Sequence, residues 1–430
     1  MAARLGAGMA LVLGLTGCAT GMNTPVAAIK TGDWPAAQKE TGDEITQDTA
    51  SRRWMLSRMR AGVCALDAGD DRAALAAFSE SFGMMRTQGL NADRTIPAYI
   101  VNERVKIWKG EPFEQAMMLA YYGILQAKLH SWDNTRAACD NALFSLRDMD
   151  GQSGRELDPK GVAARSRVYE EAKARGLSDD AAKSEADKLF PQHGYLTRPT
   201  DFTLGHLLLA IAAQQMERPD EAADHFSRVE QLAPQLWADV QAFKNKRYNT
   251  VLVVAYGLGP RKESYGEDRA LTRYAPQTPS DDAALVVTQA GTGIPTAHRP
   301  VADLNKMAAD HRWRDLESVR VIKSKVGSVA AVGGAFVLLD GLERRNRDEA
   351  LIGLGIAAVG VLMKASAQAP LEYCDTFPQR VFVVPLLIER PGTGITLSLP
   401  GRYGAVGLTV SPPQAPESDA RMVYVRLPGL

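Results

Sequence analysis

Neither sign of charge is in excess in this chain. The 430 residues contain 50 Lys and Arg and 50 Asp and Glu, so the formal net charge is zero. Proteins that hold nucleic acid or an anionic surface by electrostatics carry an excess or a cluster of positive charge. We therefore expect no nucleic-acid partner. Hydrophobic residues make up 45% of the chain, a globular composition, and the length suffices for about two or three domains.

Histidine is scarce. The six histidines are His130, His193, His206, His225, His298 and His311. Their spacing is not that of zinc ligands, which recur a few residues apart or within a Cys-x-x-Cys frame. We expect neither a metal nor a cofactor. His206 and His225 could face each other across a predicted helix pair. The pattern instead favours two solvated histidines on the helix surface.

Cysteine is scarcer still. The four cysteines are Cys18, Cys64, Cys139 and Cys374. Their spacing does not indicate a disulfide framework. A bridge between Cys64 and Cys139 in an oxidising compartment, or buried free thiols, would both be compatible with the sequence.

Common catalytic motifs are missing as well. The sequence contains no Gly-x-Ser-x-Gly elbow, no His-Glu-x-x-His pair and no Gly-x-x-x-x-Gly-Lys-Ser/Thr loop. We therefore predict no catalytic residue and a protein that is not an enzyme. Catalytic groups that lie far apart in sequence and meet only in the fold carry no such motif.

The apolar run near the start of the sequence is short. Arg4 precedes apolar residues 5–15, and small residues lead to Cys18. A run of this length cannot cross the roughly 30 Å hydrocarbon layer as a lasting helix. The pattern predicts a secretory signal over residues 1–17 that is cleaved after export.

Residues 15–18, Leu-Thr-Gly-Cys, resemble the lipobox of bacterial lipoproteins. The resemblance implies that Cys18 becomes the lipidated first residue of the mature chain. Ala19, which is not Asp, implies transfer to the outer membrane, where the protein would be lipid-anchored and face the periplasm. An ordinary signal peptide with an accidental cysteine is the alternative. Residues 18–50 are polar and predict a lipidated tether.

Residues 51–246 predict a helical repeat domain. Three helix pairs are indicated, over residues 53–85, 114–146 and 203–232, each interrupted by a short turn. The third pair resembles a tetratricopeptide repeat, with Ala222, Phe226 and Pro234 at the spacing of that family. The middle pair matches poorly, since Thr135 and Cys139 stand where alanine and an aromatic residue are expected. The intervals between pairs predict a degenerate array with insertions.

Residues 247–430 predict a β-rich domain. Short apolar runs bounded by Gly or Pro begin near residues 250, 284, 380, 395, 406 and 422. They predict a small antiparallel β-sandwich. The predicted class is therefore α+β, with a helical hairpin inserted at about residues 300–370.

Two small-residue-rich apolar segments, residues 326–339 and 350–363, would form this hairpin. Glycines would allow its helices to pack closely; they are Gly333, Gly334, Gly353, Gly355 and Gly360. A hairpin buried against the sandwich or a second subunit is the main expectation. Entry into the membrane and the lining of a homo-oligomer are the alternatives.

The order of these parts resembles an uncharacterised group of proteobacterial lipoproteins with tetratricopeptide-like repeats. Such groups are associated with envelope assemblies, including cell-wall synthesis and curli-like secretion. The resemblance implies a non-enzymatic adaptor that binds envelope proteins on the concave surface of its helix pairs. We take Tyr121, Tyr122 and Trp132 as candidate partner-binding residues. A cell-wall or polysaccharide-acting enzyme and a self-assembling envelope oligomer are the alternatives.

Overall fold

The fold is described from a computed structural model of the chain. The described residues are 25–49, 51, 53–88, 108, 110–153, 169–178, 181–182, 202–265, 271–277, 283–309, 371–400, 403–411 and 420–429. The predictions for the signal segment, for Cys18 and for the glycine-rich hairpin with Gly333, Gly334, Gly353, Gly355 and Gly360 lie outside these residues.

The N-terminal half of the described chain is helical. Its helices are α1 (Val26–Thr31), α2 (Trp34–Asp43), α3 (Trp54–Asp67), α4 (Asp71–Gln88), α5 (Pro112–Lys128), α6 (Trp132–Ser153), α7 (Thr203–Gln215), α8 (Pro219–Leu232) and α9 (Trp237–Lys244). The three predicted helix pairs are α3/α4, α5/α6 and α7/α8. Together with the strands that follow, they confirm the mixed helix and sheet of an α+β protein.

The three pairs share one turn geometry although their turn sequences differ. The first helix of each pair is followed by a residue with positive φ, namely Gly69, His130 or Glu217. The N–H of the next residue then donates to a carbonyl in the last turn of that helix. These bonds are Asp70 to Ala65 (2.8 Å), Ser131 to Gln126 (2.8 Å) and Arg218 to Ala213 (2.9 Å). The pattern is that of a Schellman C-cap.

A small residue precedes each turn residue by seven positions and lets the two helices approach. It is Gly62, Gly123 or Ala210. A Cβ atom added at Gly62 would lie 2.6 Å from the Phe78 ring, and one added at Gly123 would lie 2.8 Å from Cys139 Sγ. Cys139 therefore occupies in the middle pair the position that Phe78 occupies in the first.

Residues 26–43 are folded, which makes the predicted tether wrong over this segment. Helices α1 and α2 form a further pair, joined at Gly32 with φ of 76°. Ile29 and Ala37 are completely buried and pack with Cys64 of α3 and Leu258. The polar composition of residues 18–50 predicts a tether, but the two short helices bury Ile29 and Ala37 against residues that are distant in sequence.

The strands form two four-stranded sheets and one hairpin. They are β1 (Thr250–Tyr256), β2 (Arg261–Tyr265), β3 (Leu271–Ala275), β4 (Leu285–Gln289), β5 (Pro295–His298), β6 (Ala302–Asp303), β7 (Arg380–Leu386), β8 (Thr393–Leu399), β9 (Tyr403–Val410) and β10 (Arg421–Leu427), with α10 (Leu304–Ala309) after β6. The first sheet has the order β10-β1-β7-β6 and the second β5-β4-β8-β9, while β2 pairs with β3.

The prediction of a purely antiparallel arrangement is wrong for one pair of strands. β10 lies parallel to β1, with Thr250 opposite Arg421 and Tyr256 opposite Leu427. A parallel pair needs a long connection between its strands, and β10 follows β1 only after all the other strands.

Both faces of β1 are covered. Val251 and Val253 belong to a core shared with the helices, whereas Leu252 and Val254 belong to a core shared with the second sheet. The described chain thus has three layers, helices, first sheet and second sheet. Because helices α3 and α5 lie inside this arrangement, every residue of 54–66 and of 112–127 is buried.

Cys64, Cys139 and Cys374 are buried free thiols, so Cys64 and Cys139 are not bridged. Among the helices of the described residues, none combines the length and apolar character needed to span a membrane.

Candidate functional site

The three candidate partner-binding side chains are enclosed in the core. Tyr121 is fully buried, Trp132 is 4% exposed and Tyr122 is 9% exposed. The Tyr121 ring packs against Phe377 and Tyr424, with ring centroids 5.8 and 5.9 Å apart. All three are core residues and do not form an exposed surface, which corrects the prediction. The amphipathic pattern of α5 did not reveal that a sheet covers its second face.

A buried polar cluster lies beside Tyr121, where α3 meets β10. The Tyr424 hydroxyl donates to Asp67 Oδ1 at 2.6 Å, and Arg426 Nη1 lies 3.9 Å from Asp67 Oδ2. Burial raises the pKa of Asp67, while Arg426 and Tyr424 act to lower it. Arg426 also donates to the carbonyl of Gly257 at 2.7 Å. The cluster joins helix and sheet through groups that are costly to separate.

A second buried cluster joins α3 to residues 371–379. Arg60 Nε donates to Asp375 Oδ1 at 2.8 Å, and Arg60 Nη1 donates to Glu44 at 2.6 Å. Burial raises the pKa of Asp375, and the Arg60 guanidinium counteracts it. The loop that carries Cys374 and Asp375 is therefore fixed to the helical layer.

Glu114, in the first turn of α5, is a buried carboxyl that accepts several hydrogen bonds. Its oxygens accept from the N–H of Cys374 at 2.7 Å and of Glu111 at 2.8 Å. The Tyr274 hydroxyl donates to it at 3.3 Å. Burial raises the pKa of Glu114 to about 7, although Lys262 and the two backbone donors act to lower it. A perturbed carboxyl can mark an active site, but this one is fully enclosed and caps a helix.

His206 and His225 do face each other across α7 and α8. Their Nδ1 atoms are 3.1 Å apart and the rings are tilted by 42°. Burial lowers the pKa of His225, while Glu221, Asp140 and Asp224 act to raise it. The prediction of two separately solvated histidines is therefore wrong, because the shared turn geometry brings the second helix back in register with the first.

An Asp–His–Thr chain joins α9 to the edge strand β5. His298 Nδ1 lies 2.8 Å from Asp239 Oδ1, and His298 Nε2 lies 2.8 Å from Thr296 Oγ1. His298 is buried and Thr296 is exposed. The Thr296 hydroxyl is also 3.2 Å from the carbonyl of Val287. The sequence did not reveal this Asp–His–Thr arrangement, because Asp239 lies far from Thr296 and His298 in sequence.

Three large apolar side chains on α9, in the β4–β5 turn and just after β7 are exposed to solvent. Trp237 is 62% exposed, Ile294 is 67% exposed and Leu387 is 51% exposed. Hydrogen bonds join these elements: Asp239 to His298, and Gln289 Nε2 to the carbonyl of Leu387 at 3.0 Å. We call Trp237, Ile294 and Leu387 the α9–β5 surface.

Within the described ranges, no three or more His, Cys, Asp or Glu side chains are grouped so that they could hold a metal ion. Comparison with known proteins gives no further guide, since no protein-family model, curated protein or solved structure matches the chain.

Proposed function

We propose that this protein is an outer-membrane-anchored periplasmic lipoprotein that acts as a non-enzymatic adaptor or scaffold for a cell-envelope assembly. The resemblance of residues 15–18 to a lipobox, with lipidation at Cys18, supports the anchor. The α9–β5 surface carries the proposal of partner binding, because it presents Trp237, Ile294 and Leu387 on elements joined by hydrogen bonds.

We further propose that the helix pairs are degenerate tetratricopeptide-like repeats and that the two sheets form a sandwich. The equal spacing of small residue, turn residue and packing residue in the three pairs supports the first proposal. The core shared by Leu252 of the first sheet and Leu397 of the second supports the other. Stacked two-helix repeats form extended surfaces that bind other proteins.

The partner would not bind where repeat proteins commonly bind. Helices α3 and α5 pack against the protein's own first sheet, so that face of the array is filled. The α9–β5 surface offers an exposed tryptophan, and tryptophan is enriched among the residues that dominate binding energy. We therefore place the contact with an envelope protein there.

In-cell photo-crosslinking tests this placement. A photo-crosslinking amino acid at Trp237 should capture one specific envelope protein, identified by mass spectrometry. The same amino acid at Phe144, which is 51% exposed on α6, is the matched control and should not capture it. Equal capture at both positions, or none at Trp237, would overturn the placement. Capture of a second copy of this chain would favour the self-assembling oligomer instead.

The anchor is tested separately by Cys18→Ala. We expect the variant to be exported but released from the outer membrane, or to remain uncleaved. A variant that is still cleaved and still fractionates with the outer membrane would contradict the lipoprotein assignment.

The alternative is an enzyme that acts on the cell wall or on polysaccharide. The observation in its favour is the Asp239–His298–Thr296 chain, in which an orienting acid, a base and a hydroxyl are within hydrogen-bond distance. Such a chain would suit removal of an acyl group. Labelling by a fluorophosphonate probe that is lost in Thr296→Val would favour the enzyme, whereas an unlabelled protein would favour the adaptor.

A further inference from the structure

The two histidines that face each other across α7 and α8 are arranged as ligands of a single cation. We propose that His206 and His225 bind one divalent transition-metal ion of the kind that prefers imidazole, such as Zn²⁺ or Cu²⁺. Neither the adaptor function nor the lipid anchor is needed for this site.

The separation of the two nitrogens fits a shared metal. Two imidazole nitrogens at 2.0–2.1 Å from a tetrahedral zinc ion lie about 3.3 Å apart. The Nδ1 atoms of His206 and His225 are 3.1 Å apart, so a shift of a few tenths of an ångström would admit the ion. Imidazole nitrogen is a good ligand for zinc and copper.

The helices hold the pair in place without the metal. His206 lies in the first turn of α7, where its N–H donates to the carbonyl of Phe202 at 3.2 Å. His225 adjoins Phe226, which is 2% exposed and anchors α8 in the core. The turn at Glu217 fixes the register of the two helices. Preorganised ligands lose less conformational entropy when they bind.

The local charges favour a cation. Glu221 and Asp224 flank His225 on α8, and Asp140 acts on it from α6, while Arg136 opposes them. Glu221 is already engaged, since it accepts from Arg136 Nε at 2.6 Å and from Arg218 at 3.4 Å. The protein therefore supplies two ligands from the described residues, and water would complete the coordination.

Metal titration of the full chain tests the site. The protein is purified in detergent through an affinity tag without histidine, and Zn²⁺ and Cu²⁺ are titrated by calorimetry. We expect one ion per chain, with at least tenfold weaker binding in His206→Asn and in His225→Asn. His130→Asn is the matched control, because His130 is exposed and asparagine tolerates its positive φ. That variant should bind like the original protein.

Electron paramagnetic resonance of bound Cu²⁺ gives a readout that a folding defect would not imitate. We expect hyperfine coupling to two imidazole nitrogens in the original protein and to fewer in either single variant. Circular dichroism establishes that each variant is folded. Equal affinities in the original protein and His225→Asn, or no binding below millimolar metal, would overturn the proposal.

Discussion

Tyr424 of β10 donates its hydroxyl proton to Asp67 at the end of α3, although the two residues are 357 positions apart in sequence. This bond joins the last described strand to the first large helix pair. Among the bonds described above, it is the only one that an uncharged side chain donates to Asp67. The Asp67 side chain is completely buried.

Removing that hydroxyl should destabilise the protein. Tyr424→Phe leaves a buried carboxylate oxygen without its donor, which typically costs about 1–3 kcal/mol. We expect the free energy of unfolding, measured by urea titration with circular dichroism, to fall by this amount. Tyr265→Phe, at a half-exposed position in β2, is the control and should change little. A neutral effect of Tyr424→Phe would show that Asp67 is satisfied by other groups.

Breaking the Arg60–Asp375 pair should cost more than breaking a surface pair. Arg60→Met leaves Asp375 buried without its partner, a loss of about 3–5 kcal/mol. Replacing both residues by apolar ones should recover a large part of this loss. Arg261→Ala removes the exposed Arg261–Glu263 pair and should have little effect, because solvent and salt screen an exposed ion pair. Additive effects of the two core substitutions in a double-mutant cycle would contradict the direct pairing.

Glu114 should make the protein less stable as pH rises from about 4.5 to about 7. Its pKa is about 7 when folded, against an ordinary value of 4.5, so between these values the folded state binds a proton that the unfolded state has lost. At roughly 1.4 kcal/mol per pKa unit, the contribution amounts to about 3 kcal/mol, present below the lower value and lost through the upper one.

Glu114→Gln isolates this contribution, because the amide does not titrate. Urea unfolding at intervals from pH 4 to pH 8 should show a shallower fall in the variant than in the original protein. Parallel curves would mean that Glu114 is ionised throughout, held so by Lys262 and its hydrogen-bond donors.

The helix pairs should tolerate a methyl group at one glycine and not at another. Gly123→Ala places a Cβ against Cys139 Sγ, and overpacking of this kind costs about 1–3 kcal/mol. Gly83→Ala in α4 meets nothing within 4 Å and should stabilise the protein by about 0.5–1 kcal/mol. Thermal unfolding measures both. Adding Cys139→Ala to Gly123→Ala should recover part of the loss, and failure to do so would contradict the close approach.

The periodic helices and the β-branched strands could be predicted from the sequence because their patterns are local. The pair α3/α4 and strand β1 are examples, and both begin within one residue of the predicted position. The short helices α1 and α2 could not, since their burial depends on Cys64 and Leu258, which are distant in sequence.

The candidate site was harder to predict than the fold. The prediction of Tyr121 as a partner-binding residue is wrong because a helix pattern cannot show that a sheet packs on the tyrosine ring. Asp239 and His298 meet only when α9 and β5 are in place. The pairing of His206 with His225 was visible as a possibility, since it depends only on the turn between two adjacent helices.

The parallel pairing of β1 with β10 also constrains folding during synthesis, which proceeds from the N-terminus. Strand β1 and helices α3 and α5 are made early, but the strand that covers them on one side is made after all the other strands. Until then an apolar sheet edge and part of the helical core stay open to non-native contacts. A nascent chain would therefore stay open to such contacts until β10 is synthesised and pairs with β1.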